Sequence, residues 1–305
     1  MRLFSVARAG SLFGVLAVTC VIACSGDGTN GGGGDADGSA AQDGQTNPFT
    51  PGDGGTTPST AVGEVFASTQ SALYKLEPFS KVLTLVGDFD CITLTPDPND
   101  TQDGMADIAV DKNGKMYGIG RVKPTSNWAL VEIDKATAHC RSIAEIGATF
   151  PTGLTFVPAG TVDPNVEALV GIFIGGDYTR FDLKTGVGTK IGTAGKDFFS
   201  KGADIVSIIG GKTYSTNQGA PDHLLEVDTK TGAILRDVGP IGNVSLIAGL
   251  GYWAGTLYGF SYEGKLFAIN VDTAAATEIP IPNAPAGLRF WGAAVTTAAP
   301  TQPPK

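Results

Sequence analysis

The sequence predicts an all-β protein, a five-bladed β-propeller that follows a disordered N-terminal tether. A unit of short strands and turns recurs about every 45 residues, and no segment shows the hydrophobic period of a helix. Of the 305 residues, 43 are glycine and 42% are hydrophobic, so the chain is rich in turns and long enough to bury a core. The chain has 21 basic and 30 acidic residues, and this excess of negative charge excludes nucleic acid as a partner.

The first 23 residues have the features of a bacterial signal peptide. Arg2 and Arg8 form a positive segment, and Ala9 to Ala23 is an uncharged, mostly apolar stretch. That stretch is shorter than the ~20 residues that a helix needs to cross a bilayer. We therefore expect residues 1–23 to be removed from the mature protein.

The four residues at the end of this stretch, Val21-Ile22-Ala23-Cys24, resemble the bacterial lipobox. The resemblance implies that Cys24 receives a diacylglyceryl group and becomes the mature N-terminus with two or three acyl chains of the palmitate type, enough for a stable membrane anchor. Cys20 follows Thr19 and is a poorer match. Ser25 is compatible with export to the outer membrane of a Gram-negative bacterium, facing the periplasm or the cell surface. An ordinary cleaved signal peptide is the alternative.

Residues 24–61 are predicted to form a flexible linker. They consist mainly of Gly, Asp, Ser and Thr without periodicity, and Phe49 is their only large apolar side chain. The folded domain is expected over residues 62–297, and residues 298–305 are expected to be a disordered tail.

The second half of the recurring unit is a strand that ends in an acid and a turn. Its clearest copies are Thr179 to Gly186 (TRFDLKTG) and Leu225 to Gly232 (LEVDTKTG). Aspartate before a turn bonds its own backbone, and Thr-Gly supplies the left-handed corner of a tight hairpin. The first half is a pair of apolar strands, as in Asp107 to Gly118 (DIAVDKNGKMYG). Each unit therefore predicts the four strands of a propeller blade.

The two ends of the domain predict how the ring closes. The last apolar strand, Phe290 to Thr297, has no sequel, and the first unit, which begins at Glu64, lacks an opening strand. Pairing these segments completes a blade from both termini and removes two exposed strand edges. Five blades result, with a β-sandwich as the alternative arrangement.

The repeated strand-Asp-x-x-Thr-Gly unit resembles those of quinoprotein-like and YVTN-type β-propellers, and the chain as a whole is similar to uncharacterised bacterial propeller lipoproteins. The resemblance covers about residues 62 to 297 and implies a fold. It implies no activity, because the matching positions are core and turn residues. The tryptophan-docking motif of the pyrroloquinoline quinone enzymes is missing from the sequence.

Two cysteines remain in the folded domain, Cys91 and Cys140. In an oxidising compartment they are expected to form a disulfide bond between the outer strands of blades one and two. Two separate thiols are the alternative, because sequence does not give the distance between the Cα atoms.

Asp107 and Asp204 are the candidate ligand site of this sequence. They begin the channel-lining strands of blades two and four, where the other blades have glycine. In a closed ring their carboxylates would face the central mouth and bind a cation or act as acid and base. The alternative is a structural one, in which each carboxylate bonds a turn or the backbone of an adjacent blade. No cofactor motif is identified, and the only ion that these oxygen ligands suggest is Ca²⁺.

Other candidate residues carry weaker signals. The insertion Asp97 to Gly104 has oxygen ligands at alternate positions without the glycine and final carboxylate of a helix-loop-helix calcium loop, so a solvated turn or a recognition loop is expected. His139 and His223 have no zinc spacing, and no catalytic triad can be assembled. Aromatic residues offer stacking faces for a sugar or peptide, or pack between blades; these are Trp128, Trp253, Trp291, Tyr178 and Tyr252.

The sequence therefore predicts a lipid-anchored envelope protein that acts as a binding or scaffolding module for a protein or glycan. A propeller gathers loops from every blade around one face, and this chain adds a tether and no identifiable catalytic set. Two other classes stay open. One is an extracellular sugar- or lactone-directed hydrolase or lyase that uses Asp107 and Asp204, and the other is a structural envelope protein.

Overall fold

The computed structural model describes residues 63–94, 103–195 and 202–303. The predicted signal peptide, Cys24, the predicted linker and most of the Asp97 to Gly104 insertion lie outside these residues. The described chain forms twenty β-strands in five four-stranded antiparallel sheets and contains no helix. These residues therefore include no membrane-spanning helix.

The strands of each sheet are given from the centre of the ring outwards. Blade 1 contains β20 (Gly292–Val295), β1 (Val65–Ser68), β2 (Ala72–Leu76) and β3 (Leu83–Asp88). Blade 2 contains β4 (Met105–Val110), β5 (Met116–Val122), β6 (Asn127–Ile133) and β7 (Cys140–Gly147). Blade 3 contains β8 (Pro151–Val157), β9 (Ala168–Phe173), β10 (Asp177–Phe181) and β11 (Gly188–Thr193). Blade 4 contains β12 (Ile205–Ser207), β13 (Thr213–Asn217), β14 (His223–Val227) and β15 (Ile234–Pro240). Blade 5 contains β16 (Ile247–Trp253), β17 (Thr256–Ser261), β18 (Leu266–Ile269) and β19 (Ala276–Ile279).

The ring is closed by the pairing of the last strand with the first. β20 lies antiparallel to β1, with Val295 opposite Val65 and Gly292 opposite Ser68. The five inner strands contact one another around the centre in the order β20, β4, β8, β12 and β16. The predicted five-bladed β-propeller and its closure by the C-terminal strand are confirmed.

The predicted acid-and-turn unit has a local physical cause. The Oδ1 atom of Asp182 accepts the backbone N–H groups of Lys184 and Thr185 at 2.9 and 2.8 Å. The Oδ1 atom of Asp228 likewise accepts the backbone N–H groups of Lys230 and Thr231. Each turn ends on a residue with a left-handed backbone, which is Gly186 at φ 68° in blade 3. These bonds fix the hairpin between the third and fourth strands of each blade.

The hydrophobic core lies between the blades. Facing sheets pack through apolar side chains that belong to four clusters. The largest buried side chains include Tyr178, Phe66, Phe156, Phe260 and Phe290. Because each cluster draws on neighbouring blades, the blades support one another in the ring.

The disulfide bond between Cys91 and Cys140 is formed, with Cα atoms 5.4 Å apart. It joins the segment after blade 1 to the outer strand of blade 2. Beside it, Asp90 accepts the backbone N–H of Cys140 at 2.9 Å and contacts His139 Nδ1 at 2.6 Å.

The C-terminal segment crosses the end of the ring at which the inner strands finish. Thr297 accepts the backbone N–H of Ile209 in blade 4 at 2.8 Å, and Pro300 accepts that of Ala254 in blade 5 at 2.6 Å. Ala299 is 5% exposed. Ala299 and Pro300 therefore pack against the ring, because backbone carbonyls after β20 find donors on blades across it, whereas residues 301–303 are exposed.

Candidate functional site

Asp107 and Asp204 lie at the centre of the ring, on the inner strands of blades 2 and 4. Asp107 accepts the N–H of Ile108 on Oδ1 at 2.8 Å and that of Leu154, on the inner strand of blade 3, on Oδ2 at 2.6 Å. Asp204 accepts the N–H of Ile205 at 2.7 Å and that of Leu250 in blade 5. Each carboxyl group thus ties its own blade to the next.

The two carboxyl groups are close enough to interact across the centre of the ring. Both side chains are fully buried. Burial raises the pKa of Asp204 to about 8. Burial, together with the charge of Asp204, also raises the pKa of Asp107 well above its ordinary value. Because two adjacent carboxylates cannot both ionise in a buried site, the pair retains a proton at neutral pH.

A glycine on the inner strand of blade 1 makes room for this pair. A Cβ atom added to Gly292 would overlap the Oδ1 atom of Asp107. The glycine of blade 1 therefore reflects the volume of the Asp107 carboxyl group, whereas a Cβ atom at Gly153 or Gly249 would meet the backbone of the neighbouring inner strand.

The structure thus brings Asp107 and Asp204 together but places neither carboxyl group on the open wall of the mouth. The structural alternative, bonding to the backbone of an adjacent blade, describes both. A cation would compete with four backbone N–H donors for the same oxygens, so the geometry favours a proton at this position. Across the described ranges, no group of three His, Cys, Asp or Glu side chains is arranged to hold a metal ion.

Above the pair, on the face at which the inner strands begin, a cavity of about 360 Å³ opens at the centre of the ring. We call it the central cavity. All five blades contribute to its wall, from Ala106 in blade 2 to Trp291 beside the inner strand of blade 1. Ala106 and Ala203 line it and directly precede Asp107 and Asp204, so the carboxyl pair lies just beneath its floor.

Three aromatic side chains, Phe150, Tyr262 and Trp291, line the central cavity. The rings of Trp291 and Tyr262 meet edge to face, with centroids 5.3 Å apart. Phe150 stacks on the buried Trp128 ring at 3.8 Å. Such packing holds the rings at fixed angles, so their half-exposed faces form a preformed apolar surface.

The rim of the central cavity is aliphatic, and its polar groups are uncharged. Ile174 and Leu246 are 57% and 44% exposed. Gln218 donates its amide N–H to the carbonyl of Ile247 at 3.2 Å, which leaves its Oε1 as an acceptor beside Gly202. Thr152 provides a hydroxyl group that accepts the N–H of Ala203 at 3.1 Å. The lining is suited to a neutral group with an apolar face.

The other candidate residues lie away from this cavity. Trp128, Trp253 and Tyr178 are buried between blades, as the packing alternative predicted, and Tyr252 is half-buried in the core. His139 pairs with Asp90 in the first two blades, whereas His223 contacts Asp237 at 3.0 Å in blade 4. From the Asp97 to Gly104 insertion the structure describes only the last two residues, and Asp103 contacts Arg121 at 3.4 Å. Trp291 alone among the five aromatic candidates lines the central cavity.

Three residues of the central cavity are missing from the sequence-based set: Phe150, Gln218 and Tyr262. A signal for Phe150 was present, because it directly precedes an inner strand, as Trp291 and Leu246 do. Gln218 and Tyr262 follow the second strand of their blades, in loops of different lengths whose register the repeat does not fix.

Five sheets in a closed ring around one aromatic cavity define a five-bladed β-propeller with a preformed cavity of ligand-binding size. No family model matches the chain, and no curated protein matches it. Among solved structures it is similar to TolB from Acinetobacter baumannii, at 13% identity over 77% of this chain and 54% of that one, with a TM-score of 0.44. A protein of unknown function from Bacteroides caccae gives 11% identity, 76% and 98% coverage and a TM-score of 0.43.

BamB from Moraxella catarrhalis is also similar, at 16% identity over 69% of this chain and 58% of that one, with a TM-score of 0.31. The chain spans little more than half the length of TolB. At these identities and TM-scores the similarities indicate no ligand and no activity for this chain.

Proposed function

We propose that this protein is a binding module of the cell envelope, whose central cavity takes up an uncharged, apolar-faced part of a ligand. One observation carries the proposal: all five blades converge on one cavity with half-exposed aromatic rings. Among its described lining residues none is charged. Volumes of about 300 to 1,000 Å³ with mostly apolar walls are typical of ligand sites.

The same geometry makes the hydrolase or lyase class a weaker candidate. Acid and base catalysis requires a carboxyl group within hydrogen-bond reach of the substrate. Asp107 and Asp204 are fully buried, and their oxygens accept backbone N–H groups. A purely structural role does not account for half-exposed aromatic rings that face solvent in the cavity.

Trp291 offers a direct test of ligand binding, because the other two of the three tryptophans are buried. In a full-length variant with Trp128→Phe and Trp253→Phe, the emission of Trp291 is titrated with a random decapeptide pool and with hexasaccharides of glucose and of N-acetylglucosamine. At least one probe is expected to change the emission saturably. Leu246→Glu together with Ile174→Glu is expected to weaken that binding at least tenfold, because two charges on the rim disfavour an apolar ligand.

Val166→Glu together with Val187→Glu is the matched control. Both valines are exposed, at 55% and 60%, and lie on the loops of blade 3 at the opposite end of the ring. The control is expected to bind as the parent does. An emission that no probe changes, or equal losses in both variants, would contradict the proposal.

We further propose that Cys24 carries the lipid anchor and that the protein is located at the outer membrane. In a Gram-negative host grown with an alkynyl palmitate analogue, the protein is expected to be labelled and to sediment with membranes. Cys24→Ala is expected to abolish the label, because the thiol is the acylation site, whereas the matched Cys20→Ala keeps it. Labelling that survives Cys24→Ala would refute the anchor. Protease treatment of intact cells distinguishes the cell surface from the periplasm.

A further inference from the structure

Two further cavities adjoin the central cavity and share lining residues with it. The first lies between blades 2 and 3, has a volume of about 570 Å³ and shares Phe150 and Ile174 with the central cavity. From there it extends along the outer strands of blade 3 to Phe181. We call it the apolar cavity. The second, of about 240 Å³, lies between blade 1 and the segment that joins blade 5 to it, and shares Trp291. We call it the polar cavity. The shared residues make the three cavities contiguous, and we call them together the trough.

The apolar cavity contains an aromatic and aliphatic cluster. The rings of Phe173 and Phe181 lie 6.3 Å apart, and Ile146 lines the cavity beside the shared Phe150 and Ile174. The polar part of its lining includes the ion pair of Lys190 and Asp177, which is bonded at 2.6 Å. The aromatic and aliphatic cluster is suited to an apolar side chain.

The polar cavity has a cation at its edge. The guanidinium of Arg289 lies 5.2 Å from the ring centre of Tyr262 and donates to the Tyr262 hydroxyl at 3.1 Å. In the part of the chain that the structure describes, it has no carboxylate partner, although the protein carries a net charge of −9. A guanidinium held by an aromatic ring with free N–H groups is suited to bind a carboxylate.

We propose that the trough binds an extended polypeptide segment of a partner protein. An apolar side chain enters the apolar cavity, the central cavity takes an uncharged part of the segment, and an acidic side chain or a C-terminal carboxylate contacts Arg289. This inference rests on the proposed function and names its ligand class. The charge and polarity of the trough change from one end to the other, so the segment binds in one direction.

The test is a selection of random decapeptides displayed on phage against the full-length protein, followed by affinity measurements with synthetic peptides. Selected peptides are expected to share an apolar residue and an acidic residue or free C-terminus at a fixed separation. Arg289→Gln and Ile146→Gln are each expected to weaken binding at least tenfold, because each removes one end of the recognition. The peptides are also expected to change the Trp291 emission.

Arg236→Gln and Leu235→Gln are matched controls on the outer strand of blade 4, where both side chains are exposed. They are expected to bind as the parent does, and thermal melts confirm that all four variants fold. Selected peptides without a shared pattern, or with equal affinity for Arg289→Gln and the parent, would overturn the inference. If hexasaccharides change the Trp291 emission and peptides do not, the polypeptide inference fails while the binding function stands. If neither peptides nor hexasaccharides change the Trp291 emission, the polypeptide inference and the binding function both fail.

Discussion

Replacing Asp107 with alanine is expected to lower the free energy of unfolding by about 2 to 6 kcal/mol, because two buried N–H groups lose their acceptor at about 1 to 3 kcal/mol each. The donors belong to Ile108 in the same blade and Leu154 in the next. The effect is therefore expected on the cohesion of the ring as well as on one strand.

Urea titration of the full-length protein at pH 6 measures this change. Asp182→Ala removes an acceptor of two N–H groups that are exposed in a turn, and is expected to cost much less because water replaces the lost bonds. An Asp107→Ala variant that is as stable as the parent would show that the carboxyl pair does not hold the ring together.

The pair also predicts how stability depends on pH. The pKa of Asp204 is raised by burial from an ordinary value of 3.8 to about 8. The folded state therefore binds more protons than the unfolded state in this window, and stability is expected to fall as pH rises from about 4 to about 8. Asp204→Asn cannot ionise, so it is expected to show a smaller fall between pH 5 and 8. The slope of Asp182→Asn, an exposed control, is expected to match that of the parent.

The fold was accessible from the sequence because its strongest signals are local. A turn such as Asp228 to Gly232 fixes its own geometry through bonds within five residues. The same turn recurs in successive blades, so the spacing of these turns along the sequence predicts the ring. The closure of β20 on β1 followed from counting strands at the two ends.

The site was accessible only in part, because it depends on contacts between blades. Asp107 and Asp204 were singled out by their place in the repeat, but only the ring shows that they bury each other. Trp291 was indistinguishable in sequence from Trp128, which is 6% exposed. The two side chains differ in the side of the sheet on which they lie and in their position along the ring axis, and the local sequence determines neither.

The two ends of the ring differ in a way that bears on function. The segment after β20 crosses one end and bonds to blades 4 and 5 through the carbonyls of Thr297 and Pro300, whereas the other end holds the central cavity. The carboxyl pair fills the ring between them. A ligand therefore meets a shallow closed cavity with a rigid floor, and this geometry favours recognition at a surface over passage through the ring.

Removing the disulfide bond is expected to lower the free energy of unfolding by about 4 kcal/mol, because the bond restricts the unfolded chain over a loop of about 50 residues. The cysteines are 49 positions apart, and Cys140 is 8% exposed in the core between blades 1 and 2. Cys91→Ala together with Cys140→Ala removes the link and keeps an apolar side chain at each position. Urea titration without reductant measures the difference from the parent.

The same titration with reductant is the control for packing. Under reducing conditions the parent loses the bond in its unfolded state, so its advantage over the double variant is expected to shrink to the small packing difference between cysteine and alanine. A loss below about 1 kcal/mol without reductant would contradict the entropic role.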